Sequence, residues 1–140
     1  MKKNFNENIL FNECIDALKA NVNILSEHEA ENIWNSFKSK IPIINGGSRI
    51  DWKKIKNHCA IESLEEVLIQ VQQLLQSPVK TNVYVLWNDA SVPIIKTDLN
   101  LVLKYFDDVT CVGFETWLYN PEQGYVIEYY YLGQMNAGLV

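Results

Sequence analysis

The sequence predicts an α+β domain: a small mixed, mostly antiparallel sheet of about four strands with N-terminal helices packed on it. Three observations carry that expectation. Apolar residues at helical spacing dominate the first half, about 1–77. Runs rich in Val, Ile, Tyr and Trp dominate the second, about 78–140. With 140 residues and 48% apolar composition, a single domain, 1–140, with one core is the natural reading.

Helices come first along the chain. Phe5 to about Ala20 sets Leu10, Cys14, Ala17 and Leu18 near one face, and Ser26-x-x-Glu29 is a capping-box pattern that opens a second helix presenting Ala30, Ile33, Trp34 and Phe37 inward. "KIPIINGGSRIDWKKIKN" carries Pro42 and a Gly-Gly pair and reads as a connection. Ser63-x-x-Glu66 opens a third helix with the stripe Leu64, Val67, Leu68, Val71, Leu74 and Leu75, and Ser77-Pro78 ends it.

Strands follow. "NVYVLW", 82–87, is nearly continuous in apolar residues, as a strand covered on both faces should be. A short helix from about Asp98 to Phe106 comes next, with Leu99, Val102, Leu103 and Phe106 inward. Strands are then expected over Thr110–Leu118, Tyr125–Tyr131 and about Gln134–Leu139. The strand, helix, strand order allows one parallel crossover before an antiparallel meander.

The last two long strands form a hairpin around Pro121, Glu122 and Gln123. If Asn120 pairs with Gln123, Glu115 lies directly opposite Glu128. Alternation then gives a core face with Val112, Phe114, Thr116, Leu118, Tyr125, Ile127, Tyr129 and Tyr131, and a second face with Glu115, Trp117, Glu128 and Tyr130. Two facing carboxylates repel unless a cation answers them. They are the best enzymatic candidates in the chain, as an acid/base pair of a small hydrolase. Beside Trp117 and Tyr130 they also have the aromatic-plus-charge composition of a protein interface, and that reading is the stronger.

Other candidates are thin. His28 falls in the first turn of a helix, where solvation is the ordinary explanation. His58 and Cys59 are sequence neighbours, which does not aim their side chains at one another. Asp107-Asp108 is expected at a helix-to-strand junction, with too few neighbouring ligands for a metal. Gly46-Gly47-Ser48 lacks the lysine of a phosphate loop. Neither a metal nor a cofactor is expected. Cys14, Cys59 and Cys111 are odd in number and form no Cys-x-x-Cys, which fits reduced thiols. With no apolar run near the roughly 18 residues of a membrane span, the expectation is a cytoplasmic protein.

Charge is unevenly spread. Net charge is −5, yet residues 1–57 hold nine basic and seven acidic side chains, whereas 58–140 hold three basic and ten acidic. From Tyr105 onward there is no Lys or Arg, while Asp107, Asp108, Glu115, Glu122 and Glu128 are all present. Such a surface repels nucleic acid and attracts a basic protein.

The segments "VYVLWNDASVPIIKTDLNLVLKYFDDVTCVGFETWLYNP" and "GYVIEYYYLGQMNAGL", and less firmly "RIDWKKIKN", resemble the immunity proteins of bacterial contact-dependent growth inhibition systems, in the branch paired with tRNA-cleaving toxins. Trp87, Pro93, Asp107-Asp108-Val109, Thr116-Trp117 and Val126-Ile127-Glu128 carry the resemblance. Leu132-Gly133 departs from favoured turn chemistry, which would place Asp-Gly or Asn-Gly in the last hairpin. The resemblance implies a non-catalytic antitoxin that binds, one to one, the basic toxin domain of a secreted adhesin-type effector. It implies contact with neither nucleic acid nor membrane; a host cysteine-biosynthesis enzyme, where involved, would join through the toxin. Glu115, Trp117, Glu128, Tyr130, Asp107, Asp108 and Glu122 are the expected toxin-binding residues.

Overall fold

The computed structural model describes residues 8–140. The first helix, α1 (Ile9–Leu18), is capped by the Asn8 side chain, which accepts from the Phe11 amide at 3.0 Å; the part of the expected helix before residue 8 lies outside the described residues. A two-residue strand β1 (Asn23–Ile24) precedes α2 (Glu27–Lys40). The capping box forms as read, with Ser26 Oγ accepting from the Glu29 amide and Glu29 Oε1 accepting from the Ser26 amide. Strand β2 (His58–Ala60), a single 3-10 turn and α3 (Val67–Leu75) follow, then β3 (Asn82–Trp87), β4 (Ile95–Asp98), α4 (Leu99–Lys104) and α5 (Phe106–Thr110). The chain finishes the sheet with β5 (Glu115–Asn120), β6 (Tyr125–Tyr130) and β7 (Met135–Leu139).

The sheet has seven strands rather than about four, in the order β1-β4-β3-β5-β6-β7-β2. Every pairing is antiparallel, so the expected parallel crossover does not exist. The added strands are β1, β2 and β4, which have two, three and four residues. The segment read as the start of a strand at Thr110 is instead the end of α5, whose last turn is closed by Thr110 Oγ1 donating to the Phe106 carbonyl at 2.8 Å.

Both faces of the sheet are covered. Val83, Val85, Trp87, Leu118, Tyr125, Ile127 and Ala137 face α1, α3, α4 and α5. Leu86, Trp117, Tyr119 and Val126 face α2 and the 41–57 segment, through Phe37, Ile41, Ile50 and Ile55. The continuous apolar character of β3 is thereby explained, because its alternate residues enter two different cores. On the second face α2 is seated by aromatic contacts: Phe37 lies 4.8 Å from Trp117 and 5.5 Å edge-on from Tyr119, and Ser36 Oγ is 2.8 Å from the Tyr119 hydroxyl.

Candidate functional site

The face carrying Glu115, Trp117, Glu128 and Tyr130 reads as an accessible one, but in the structure Glu115, Trp117 and Glu128 are buried and Tyr130 is half-buried. The Asn120–Tyr125 pair closes a four-residue turn, with Gly124 at φ +77° and the Gln123 amide held by Asn120 Oδ1 at 2.8 Å. Pairing is therefore shifted two residues from the register inferred above: Glu115 sits opposite Tyr130, and Glu128 opposite Trp117. A shift of two conserves the face, so these four side chains do share one. They share it beneath the 41–57 segment, where Glu115 is 6% exposed and Glu128 1%.

That segment explains how two acids tolerate burial. Ile43 and Ile50 bridge in antiparallel fashion, and Gly46, at φ +74°, lets the chain reverse between them. The reversal sets Ser48, Arg49, Ile50 and Trp52 over the sheet. Glu128 Oε2 accepts from the Ile50 amide at 2.7 Å and from Trp117 Nε1 at 2.9 Å, while Oε1 accepts from Trp52 Nε1 at 3.0 Å. Arg49 Nε lies 3.9 Å from Oε1, and its guanidinium sits 4.0 Å over the Tyr130 ring. Glu115 is held separately, by Ser48 Oγ at 3.0 Å and Asn88 Nδ2 at 3.3 Å. The cation that answers Glu128 is thus the protein's own, and its only arginine. Neither carboxylate is placed as an acid/base pair, since each is engaged by donors of the second cover.

Sequence reasoning missed Ser48, Arg49, Trp52 and Asn88. The available signal was the sole arginine beside Ile50 and Trp52, in a stretch dismissed as a connection because of its glycines and proline.

The remaining expected site residues are scattered. Asp107 and Asp108 are exposed in the first turn of α5. Glu122 is exposed in the β5–β6 turn, at the far end of strands roughly 20 Å long, and pairs with Lys80. Tyr130 is half-buried under Arg49. Phe114, assigned above to the core face, is 69% exposed just before β5 begins, because the covering helices end short of it. Among the described residues no cluster of three or more His, Cys, Asp or Glu is placed to hold a metal ion. No helix among them is long and apolar enough to cross a membrane.

A family model described as CdiI immunity protein EcoliA0-like matches residues 8–138. The chain belongs to that family. Among curated proteins none matches it. The match runs through every described helix and strand of this CdiI immunity protein except the last residue of β7, and it includes the 41–57 cover and both short edge strands. The Glu128–Arg49 cluster is therefore part of the family's matched span, and what it does chemically is fasten the second cover to the sheet.

Proposed function

We propose that this CdiI immunity protein neutralises a toxin by binding it one to one in the cytoplasm, and that the toxin is the nuclease domain, a tRNA-cleaving one, of an adhesin-type effector. Binding would block the nuclease site or the surface that grips RNA. The observation that carries this reading, beyond family membership, is the stretch from Tyr105 onward with no Lys or Arg, in which Asp107, Asp108 and Glu122 are exposed. A nuclease must present a basic surface to its RNA, and an acidic protein is suited to cover it. Of the residues first considered for contact, Asp107, Asp108, Glu122 and Tyr130 are accessible at least in part, whereas a partner would meet Glu115, Trp117 and Glu128 only through the 48–52 segment. The hydrolase alternative has lost the facing pair on which it rested. A host enzyme that activates the toxin would join such a complex through the toxin.

The test is a titration of the purified C-terminal toxin domain of a candidate adhesin-type effector from the same genome, with RNA cleavage as readout. Inhibition saturates at about one equivalent, and added salt slows association more than it hastens dissociation. Loss of toxin activity far below one equivalent, with the toxin covalently altered, would overturn the reading.

A further inference from the structure

Exposed large apolar side chains gather at one end of the molecule. Phe114, Tyr131 and Leu132 are 69%, 50% and 68% exposed at the open end of the β5–β6 hairpin. The Tyr131 amide donates to the Phe114 carbonyl at 2.9 Å, which fixes the two residues side by side, and their rings meet at a tilt of 47° with centroids 4.9 Å apart. This pair lines a cleft of about 550 Å³ together with Leu10 of α1, Asp89 and Asp107. Asp108 is the next residue on α5 and is exposed, and no described residue lining the cleft is basic.

The fold has no evident use for this pair. Both cores close without it, and among the described residues nothing covers two aromatic rings that a monomer would ordinarily bury or dispense with. Rigid aromatics at the centre and carboxylates at the rim are the composition of a protein-binding surface whose partner is cationic. A second copy of this chain is a poor occupant, since two-fold pairing through the cleft would set one carboxylate-bearing surface without described basic lining against another.

We propose that the toxin docks here, an apolar side chain entering against Phe114 and Tyr131 while its Lys or Arg side chains pair with Asp107 and Asp108. The proposal rests on the immunity function above and adds its location.

The experiment compares the full-length wild type with Phe114→Ser/Tyr131→Ser and Asp107→Asn/Asp108→Asn, using the same purified candidate toxin domain as probe; Ile69→Ser, an exposed residue of α3, is the control. The aromatic double variant keeps its melting temperature within about 2 °C, because its side chains lie outside both cores, and loses toxin affinity by about 30-fold or more. The aspartate variant associates about tenfold more slowly at low salt, with a flatter salt dependence. The control binds as wild type. Should the aromatic variant melt well below wild type, Phe114→Ser alone, the more exposed of the pair, carries the same affinity test. If the wild type neutralises the toxin and these variants bind within about threefold of it, the location is wrong and the function stands. If the wild type does not neutralise the toxin, both fall. Loss of a wild-type dimer on mutation, with toxin affinity unchanged, would assign the cleft to a second copy and overturn the proposal. So would a stability loss on deleting residues 1–7 that the aromatic variant reproduces, which would seat this chain's own N-terminal segment there.

Discussion

Replacing Glu128 by Gln is predicted to destabilise the protein by about 3 kcal/mol, and the figure follows from its three donors. The Gln oxygen can take the Oε2 position and keep the Ile50 amide and Trp117 Nε1. Its amino group then points at Trp52 Nε1 and Arg49 Nε, donor against donor. One buried hydrogen bond is lost outright, at about 1–3 kcal/mol, and two charge-assisted ones become neutral, at about 0.5–1 kcal/mol each. Loss of the ion pair adds less, because Arg49 is partly exposed and 3.9 Å away. In a domain of this size the sum lowers the melting temperature by about 10 °C. Glu115→Gln should cost only about 1 kcal/mol, since its two donors come from a hydroxyl and an amide side chain. Thermal melts and urea titrations followed by circular dichroism measure both. A drop under about 3 °C for Glu128→Gln, or equal effects of the two variants, would refute the view that Glu128 fastens the 48–52 segment.

Two further perturbations follow from particular contacts. Burial, reinforced by the Asp108 carboxylate, pushes the Cys14 thiol up from 9.0 to about 12, and burial raises the Tyr125 phenol as well. Both groups fold in their neutral forms, so their contribution is intact below about pH 9 and is lost as pH rises toward the folded-state values, at up to about 1.4 kcal/mol per pH unit for each. The urea midpoint should therefore fall between pH 9 and pH 10.5, and less steeply in Cys14→Ala; a flat midpoint would contradict the assignment. Gly138→Ala sets a Cβ 2.8 Å from Trp52 Cζ3 and 3.1 Å from Ile55 Cγ2, beneath the second cover. It should cost about 1–3 kcal/mol in the same melts, and a neutral result would mean that the Trp52 ring shifts freely.

Legibility followed the length of the pattern. The capping box of α2, the stripe of α3 and the two-sided burial of β3 each occupy at least four positions with mutually consistent chemistry, and each reads correctly. Strands β1, β2 and β4 escape because two to four residues give alternation too little room to show. The hairpin faces were readable while the pairing was not, since a shift of two residues alters every cross-strand partner and no face. Gly124 held the missing information, as its positive φ suits a four-residue turn closed on Asn120 better than a shorter one. The second cover was hidden by its own glycines and proline. Ile41, Ile43, Ile50, Trp52 and Ile55 lack a regular period, and only the chain reversal at Gly46 brings them to one surface. Phe114 and Tyr131 read as core residues because alternation assigns a face and says nothing about how far its cover extends.

The order of strands has a consequence for synthesis. The outermost strands, β1 and β2, come from the first sixty residues, but the neighbours they need, β4 and β7, are translated later. His58 waits for Gly138, eighty positions on, before it has a partner. The β1 flank can be sealed once residue 98 is made, but the β2 flank waits for β7, and until β7 emerges β2 and the free edge of β6 present unpaired amides and carbonyls to other chains. Closing of the β2 edge is therefore predicted to be a late step in folding.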